Sequence, residues 1–230
     1  MRRSEVNRLL RDGLAFFDRH RFRLPPFADW APDEWLSRRE EVRPIIDRGL
    51  GWDITDFGRG DFDAFGLLLF TLRNGVLGGE AAGIGTPYAE KAMIVGVDQR
   101  TLMHHHRSKT EDIIVRAGGR LMVEVYGVGS NDDLSRDDVL VTTDGLVRTV
   151  PAGHVVELHP GESITLTPAL YHAFWAEGEP VLAGEVSTVN DDETDNVFLE
   201  EAARFPRIDE DEPAFRLLVS DYASILGEPS

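Results

Sequence analysis

The segment HHHRSKTEDIIVRAG, residues 104–118, combines histidines and a glutamate with the β-branched run of a buried strand. Alternate side chains of a strand point to the same face, so His104 and His106 direct two imidazoles to one place. Glu111 follows a short turn and can return its carboxylate to that place, and His172 offers a further imidazole much later in the chain. Three neutral nitrogens and one carboxylate oxygen suit a divalent metal that keeps positions open for a substrate.

Short segments rich in branched and aromatic residues lie on both sides of that segment, separated by glycine, asparagine and aspartate. One predicted turn is at Gly118 and Gly119. The predicted strands cover residues 66–72, 91–95, 101–107, 121–126, 146–150, 154–158, 163–166, 172–176 and 181–187. Strands this short are typical of an antiparallel barrel or sandwich and not of alternating strands and helices. The sequence therefore predicts a mainly β protein.

Both ends of the chain carry helical patterns. Apolar residues recur with helical spacing after Ser4, which we interpret as the N-cap of a helix of about 15 residues. Pro32 predicts the start of a second short helix, and residues 213–226 predict a terminal one. We expect a single domain over residues 1–230, made of a helical arm (1–50), a β-barrel (51–200) and a helical tail (201–230).

Composition limits the classes of function. Hydrophobic residues make up 42% of the chain, enough for a full core. The formal net charge of −17 disfavours binding to nucleic acid or to anionic lipid. The chain contains no cysteine, which excludes disulfides and thiolate metal sites and suits a reducing compartment. The longest apolar run, residues 66–70, is far shorter than a membrane span of roughly 20 residues, so we expect a cytoplasmic protein.

The spacing of the possible metal ligands resembles the cupin family. The first cupin motif has two histidines separated by one residue, then a glutamate and a closing glycine, as His104, His106, Glu111 and Gly118 stand here. Asp98 replaces the opening glycine of that motif.

The second cupin motif ends in a histidine, matched here by His172. Thr167 and Ala169 replace its usual proline and glycine, and Ala176 replaces its final asparagine. If Ala169 adopts the positive φ of the glycine, the cost is on the order of 1 kcal/mol. The resemblance implies a double-stranded β-helix, or jelly-roll barrel, with a metal inside.

Longer segments are similar to bacterial D-lyxose isomerases, over nearly the whole chain. They are FRLPPFA (22–28), GWDITDFG (51–58), PYAEK (87–91), MHHHRSKTEDII (103–114), YHAFW (171–175) and GEVSTVNDD (184–192). The resemblance implies interconversion of D-lyxose with D-xylulose, and of D-mannose with D-fructose. It also implies a homodimer and a divalent metal, most often Mn²⁺, with Co²⁺, Fe²⁺, Ni²⁺ or Zn²⁺ as further candidates. His104, His106, Glu111 and His172 match the metal ligands of the family.

Such an isomerisation can proceed by proton transfer through a cis-enediol, which needs a base and a cation that stabilises the enediolate. Glu185 is the candidate base. Burying a carboxylate in an apolar strand is costly unless it is paired, so we interpret its position as a sign of acid–base chemistry. Lys109, in the turn between His106 and Glu111, is the candidate cation, and Lys91 can hold a sugar hydroxyl or orient Glu185. The alternatives are a structural Lys91–Glu185 pair, a solvated Lys109, and a hydride shift that needs no base.

Aromatic and acidic residues supply candidates for sugar binding. Trp52, Tyr88 and Phe174 can pack against the C–H faces of a sugar, although such residues also form cores. Asp191 and Asp195 belong to an acidic run that we interpret as a solvated loop. Either one is a candidate to contact sugar hydroxyls.

Two further functions use the same fold. A non-haem iron dioxygenase of the cupin type would use the same ligands and would require iron and oxygen. A metal-free, sugar-binding cupin would need no ligand set at all, so the complete set of ligands disfavours it.

Overall fold

The computed structural model describes residues 1–79, 82–191, 194–203 and 205–223. Its helices are α1 (Arg3–Arg19), α2 (Pro32–Ser37) and α3 (Arg43–Ile46), with single 3₁₀ turns at Pro26–Asp29 and Val219–Asp221. Its strands are β1 (Gly51–Thr55), β2 (Leu67–Arg73), β3 (Tyr88–Val95), β4 (His104–His106), β5 (Glu111–Gly127), β6 (Val139–Thr143), β7 (Leu146–Val150), β8 (His154–Leu158), β9 (Ser163–Leu166), β10 (Leu170–Thr188) and β11 (Asn196–Phe198). The prediction of a mainly β protein with helical ends is confirmed.

The strands form one antiparallel sheet in the order β1-β2-β3-β10-β5-β9-β6-β7. Strand β4 pairs with β10 and carries β11, and β8 pairs with β5. The two long strands β5 and β10 run beside each other over most of their length. Strand β10 also pairs with β3, so the centre of the sheet is the place where distant parts of the chain meet.

The prediction of a turn at Gly118 and Gly119 is wrong. Both residues lie within the continuous strand β5, and the predicted strands 172–176 and 181–187 are likewise one strand, β10. The pairing shifts register between Glu177 and Val181, so the interruption is an irregularity of the ladder and not a chain reversal. Gly118 adopts a φ of 95°, and a Cβ there would lie 2.0 Å from the carbonyl oxygen of Pro180. Only glycine fits at this approach of the two strands.

Strands β1, β6 and β11 are present in the structure but were not predicted from the sequence. Strand β11 has three residues, and its first residue, Asn196, pairs with His106 of β4. Three residues are too few for an alternating pattern to be recognised in the sequence.

The described residues form three apolar clusters, and the two larger ones lie on opposite faces of the sheet. The first core fills the inside of the curved sheet and includes Val123, Ile164 and Phe174. The second core joins α1 to β1 and β2 through residues such as Phe17 and Trp52. Burying a side chain of this size contributes about 1.5–3 kcal/mol. Helix α1 therefore covers the outer face of the sheet.

Helix α1 begins one residue before the predicted cap. Arg2 is the N-cap and Ser4 lies in the first turn, where its hydroxyl donates to a carboxylate oxygen of Asp211 at 2.7 Å. Arg3 is buried and donates to Glu210 and Asp221, including a contact of 2.6 Å from Nη2 to Oε1 of Glu210. The partners of the first turn come from the far end of the chain, which sequence spacing alone does not reveal.

The predicted terminal helix starts later than expected. Leu218 makes a parallel bridge with Trp52, and the backbone N–H of Phe215 donates to the side chain of Asn7. These contacts hold the chain extended, so helical structure begins only at Val219–Asp221. Residues 224–226 of the prediction lie outside the described residues.

Helix α2 confirms the predicted start at Pro32. The division into arm, barrel and tail within a single domain stays a prediction. Among the helices of the described residues, none is both long and apolar enough to cross a bilayer.

Ala169 adopts a φ of 65°, as its position in the second motif predicts. Replacing Ala169 by glycine should raise the free energy of unfolding by about 0.5–1 kcal/mol, because glycine reaches this region without a Cβ clash. Urea denaturation measures the change. Ala152→Gly is the control, since Ala152 is a turn residue without positive φ, and there the added chain entropy should lower stability. Equal losses in both variants would contradict the strain at Ala169.

Candidate metal centre and active site

Three histidines meet inside the sheet where β4 pairs with β10. His172 of β10 lies directly opposite His104 of β4, and His106 is on the same face two residues along. The ring centroids of His104 and His172 are 4.3 Å apart, and those of His104 and His106 are 5.2 Å apart. One nitrogen from each of the three rings lies within 4.8 Å of the others. The three histidines that the sequence predicts as ligands therefore form one cluster in the structure.

Backbone carbonyls orient two of the rings. Nδ1 of His104 lies 2.8 Å from the carbonyl oxygen of Leu102, and Nδ1 of His172 lies 3.0 Å from that of Leu170. A carbonyl oxygen only accepts, so each Nδ1 carries the proton and each Nε2 keeps its lone pair. These two imidazoles are therefore held in the tautomer that binds a metal through Nε2.

Glu111 completes the cluster from the first residue of β5. Its Oε1 lies 3.3 Å from Nε2 of His106 and 3.3 Å from Nε2 of His172. Neither nitrogen makes a well-formed hydrogen bond within the described part of the chain, although both are buried. Buried polar atoms without hydrogen bonds are rare in proteins. Lone pairs that converge in this way fit a divalent cation bound to three nitrogens and one carboxylate oxygen.

The surroundings keep these groups in the charge state of ligands. Burial lowers the pKa of His104 well below its ordinary value, and the neighbouring histidines add to this effect. Burial also lowers the pKa of His106. For Glu111, burial alone would raise the pKa, but the nearby Lys109 and His106 outweigh it and hold the pKa well below the usual range. Neutral imidazoles and an ionised carboxylate are the forms that bind metal.

A cluster of buried lysines and glutamates lies beside the histidines. Nζ of Lys109 lies 2.7 Å from Oε2 of Glu111 and 3.1 Å from Oε1 of Glu185. Nζ of Lys91 lies 3.2 Å from the same oxygen of Glu185, since Lys91 on β3 stands directly opposite Glu185 on β10. These are the only two lysines in the sequence. Both are buried beside one carboxylate, so Lys109 is not a solvated residue of the turn.

Asp195 braces the turn that carries Lys109. Its Oδ1 accepts from the backbone N–H and the hydroxyl of Ser108 at 2.8 and 2.6 Å, and its Oδ2 accepts from the backbone N–H of Lys109 at 3.2 Å. Burial alone would raise the pKa of Asp195, but the hydrogen bonds from Ser108 outweigh it and lower that pKa. The carboxylate of Asp195 is buried and hydrogen-bonded to this turn, so the prediction of a solvated loop is wrong for Asp195.

A cavity connects the histidines to the lysines. Its polar wall contains His104, His106, Lys91, Lys109, Glu111 and Glu185, and Asn196 and Thr101 also reach it. Phe57, Phe174 and Phe198 form an aromatic wall. The rings of Phe57 and Phe198 are 5.9 Å apart, and Phe198 lies 5.5 Å from His104. A small polar molecule with an apolar face fits this lining.

Phe57 has a backbone conformation that is unusual for a bulky residue, with a φ of 53°. Such a residue stores about 1–3 kcal/mol of strain. Its N–H donates to the hydroxyl of Thr55 at 2.9 Å, and its carbonyl oxygen accepts from the N–H of Ala203 at 3.1 Å. These contacts keep the ring of Phe57 on the cavity wall.

Of the residues predicted to bind sugar, Phe174 lines the cavity, whereas Trp52, Tyr88 and Asp191 do not. Trp52 and the cavity residue Thr55 point to opposite faces of β1, and Trp52 donates to the carbonyl oxygen of Ala28 in the second core. Tyr88 is exposed on the outer face of β3, opposite to Lys91. Asp191 accepts hydrogen bonds from Thr194 in its own loop.

Sequence reasoning did not single out several cavity residues. They are Thr55, Phe57, Thr101, Asn196 and Phe198. None carries a group that titrates near neutral pH, so composition and spacing give no sign of a role for them. Thr55 and Phe57 both lie within the segment GWDITDFG, and that resemblance is the signal that could have indicated them.

The sequence is similar to known proteins over nearly its whole length. The D-lyxose isomerase family matches residues 1–222. D-lyxose/D-mannose isomerase of Serratia proteamaculans is 48% identical over 226 residues, which cover 96% of this chain and 98% of that protein. The D-lyxose/D-mannose isomerase of Escherichia coli O157:H7 is 46% identical over 229 residues, with coverage of 96% and 98%.

Solved structures show the same architecture at low sequence identity. L-ribose isomerase of Cellulomonas parahominis, solved with L-ribose, has a TM-score of 0.60 and 20% identity, covering 91% of this chain and 98% of that chain. L-ribose isomerase of Acinetobacter sp. DL28, also with L-ribose, has a TM-score of 0.59 and 18% identity over 91% and 98%. The expected cupin-type β architecture is confirmed. On its sequence match over residues 1–222, the chain belongs to the D-lyxose isomerase family.

Proposed function

We propose that this protein interconverts D-lyxose with D-xylulose, and D-mannose with D-fructose, using a divalent metal. The observation that carries the proposal is the position of Glu185. Its Oε1 lies within 3.2 Å of two ammonium groups, in a cavity that is also lined by His104 and His106 of the histidine cluster. An aldose–ketose proton transfer needs a base and positive charge that stabilises the enediolate, and a carboxylate, two ammonium groups and the proposed metal can supply them.

The proposed metal ligands are His104, His106, Glu111 and His172. When bound, the ion would act as a Lewis acid on the oxygens of the sugar and stabilise negative charge on them. Imidazole and carboxylate ligands suit Mn²⁺, Fe²⁺, Co²⁺, Ni²⁺ or Zn²⁺. We propose Mn²⁺ because the family resemblance implies it.

Glu185 is the proposed base. Its carboxylate removes the proton from C2 of the aldose while O1 gains a proton, which gives the cis-enediol. The proton on Glu185 then returns to C1 while O2 loses its proton, which gives the ketose. The net change moves one hydrogen from C2 to C1 and one from O2 to O1. Lys91 and Lys109 hold Oε1 of Glu185 in place. Lys109 also contacts Glu111, so its ammonium lies between the base and the proposed metal ligands and can stabilise the enediolate. In the alternative mechanism, a hydride shift from C2 to C1, no base is needed and Glu185 would not remove a proton.

Two further properties are proposed from the resemblance. The protein is a homodimer, and it acts in the cytoplasm on a monosaccharide. A chain without cysteine suits the reducing conditions of that compartment.

The manganese-loaded protein should convert D-lyxose to D-xylulose under anaerobic conditions. A panel of aldoses that includes D-mannose, with products separated by chromatography, measures the activity. Because proton transfer consumes no oxygen, the rate should be the same in air. Neither competing function is favoured: a requirement for iron and oxygen would support a dioxygenase, and sugar binding without turnover would support a metal-free binding protein.

Replacing His172 by alanine should lower the metal content and abolish turnover, because it removes one nitrogen of the cluster. Elemental analysis of the purified protein measures the metal, and circular dichroism checks that the variant is folded. His159→Ala is the matched control, since the side chain of His159 is 57% exposed, and it should keep both metal and activity. Full turnover in His172→Ala would show that the ligand assignment is wrong.

Replacing Lys109 by alanine should leave the metal bound and lower kcat by about 100-fold or more, because the cation beside the developing negative charge is lost. Steady-state kinetics with D-lyxose separate kcat from KM. Arg107→Ala is the control, since Arg107 is an exposed cation of the same turn. A change in KM alone would refute a role for Lys109 in the transition state.

A further inference from the structure

Asn190 lies behind the two lysines of the site. Its Oδ1 accepts from Nζ of Lys91 at 2.8 Å and from Nζ of Lys109 at 3.4 Å. The same two ammonium groups contact Oε1 of Glu185 at 3.2 and 3.1 Å. Two donors and two acceptors therefore alternate around a closed ring of four atoms.

The side chain of Asn190 does not belong to the cavity wall. The residues that line the cavity include Lys91, Lys109 and Glu185 but not Asn190. Asn190 instead borders a groove on the outer surface, together with Asn74. Any effect of Asn190 on a substrate in the cavity must therefore act through the lysines.

Asn74 fixes the backbone of Asn190. The N–H of Asn190 donates to Oδ1 of Asn74 at 3.0 Å, and Nδ2 of Asn74 donates to the carbonyl oxygen of Asn190 at 3.1 Å. Nδ2 of Asn74 also donates to the carbonyl oxygen of Arg48 at 3.3 Å. Asn74, in the loop after β2, thus fixes the segment that follows the end of β10.

An amide suits this position better than a carboxylate. Two ammonium groups that share one oxygen repel each other, and a second acceptor opposite Glu185 stabilises both. Glu111 and Glu185 already match the two positive charges. An amide oxygen adds the acceptor without adding a third negative charge.

We propose that Asn190 is a positioning residue, which holds Lys91 and Lys109 against Glu185 and is itself held by Asn74. The inference rests on the proposed function in one respect, namely that Glu185 and Lys109 act on the sugar. Displacing groups that act on a reacting centre by about 1 Å can lower the rate by about 100-fold.

Steady-state kinetics of the manganese-loaded enzyme test the functional part. Asn190→Ala should lower kcat by about 10- to 100-fold, with KM within about threefold of the parent and an unchanged metal content. Asn190→Asp restores an oxygen at this position and should recover part of kcat. Asn131→Ala, in an exposed loop, is the control and should match the parent. A kcat for Asn190→Ala within twofold of the parent would overturn the proposal.

Lysine-specific NMR tests the contacts independently of activity. Because the chain has only two lysines, protein labelled with ¹⁵N-lysine gives two Nζ signals that can be followed individually. Asn190→Ala should shift both signals and Asn131→Ala neither; two unshifted signals in Asn190→Ala would refute the positioning contacts. If Asn190→Ala does not fold, Asn74→Ala replaces it, with a smaller change expected in the same direction.

The two outcomes separate the two proposals. A parent enzyme that isomerises no sugar removes the proposed function, while the NMR signals still decide whether Asn190 holds the lysines. An active parent with an unaffected Asn190→Ala variant removes only the inference about Asn190.

Discussion

Two ammonium groups and two carboxylates share one buried volume, and this balance of charge is the constraint on which the site depends. The side chains of Lys91, Lys109, Glu111 and Glu185 expose 6% or less of their surface. An isolated charge at such depth costs several kcal/mol, so each is tolerated because an opposite charge lies beside it. Arginine supplies the other cations of the chain. Lysine occupies the two positions where a compact ammonium group lies beside the buried carboxylate of Glu185.

Strand β10 brings the two halves of the site together. It places His172 opposite His104 on β4, and thirteen residues later it places Glu185 opposite Lys91 on β3. The ladder of hydrogen bonds fixes these distances without help from loops. Lys109 is the exception, since it lies in a turn, and Asp195 and Asn190 supply the contacts that the ladder does not.

The sequence indicated which histidines and glutamate cluster together, but it did not indicate which residues position the lysines beside them. The spacing of His104, His106 and Glu111 has a direct meaning on a strand, and the structure brings these residues together with His172. The positive φ of Ala169 followed from the glycine that it replaces. The roles of Trp52 and Asn190 did not follow: a tryptophan suits either face of β1, and the contact from Asn190 to Lys91 spans 99 positions of the chain. Such contacts depend on tertiary packing, which local patterns do not encode.

We propose that three imidazoles and one carboxylate hold a catalytic ion. Anomalous diffraction from crystals of the active, manganese-loaded enzyme, recorded on both sides of the manganese absorption edge, tests it most directly. We expect one peak bounded by Nε2 of His104, His106 and His172 and by the carboxylate of Glu111. A fully active enzyme whose crystals show no peak there, or show it at another place, would contradict the account.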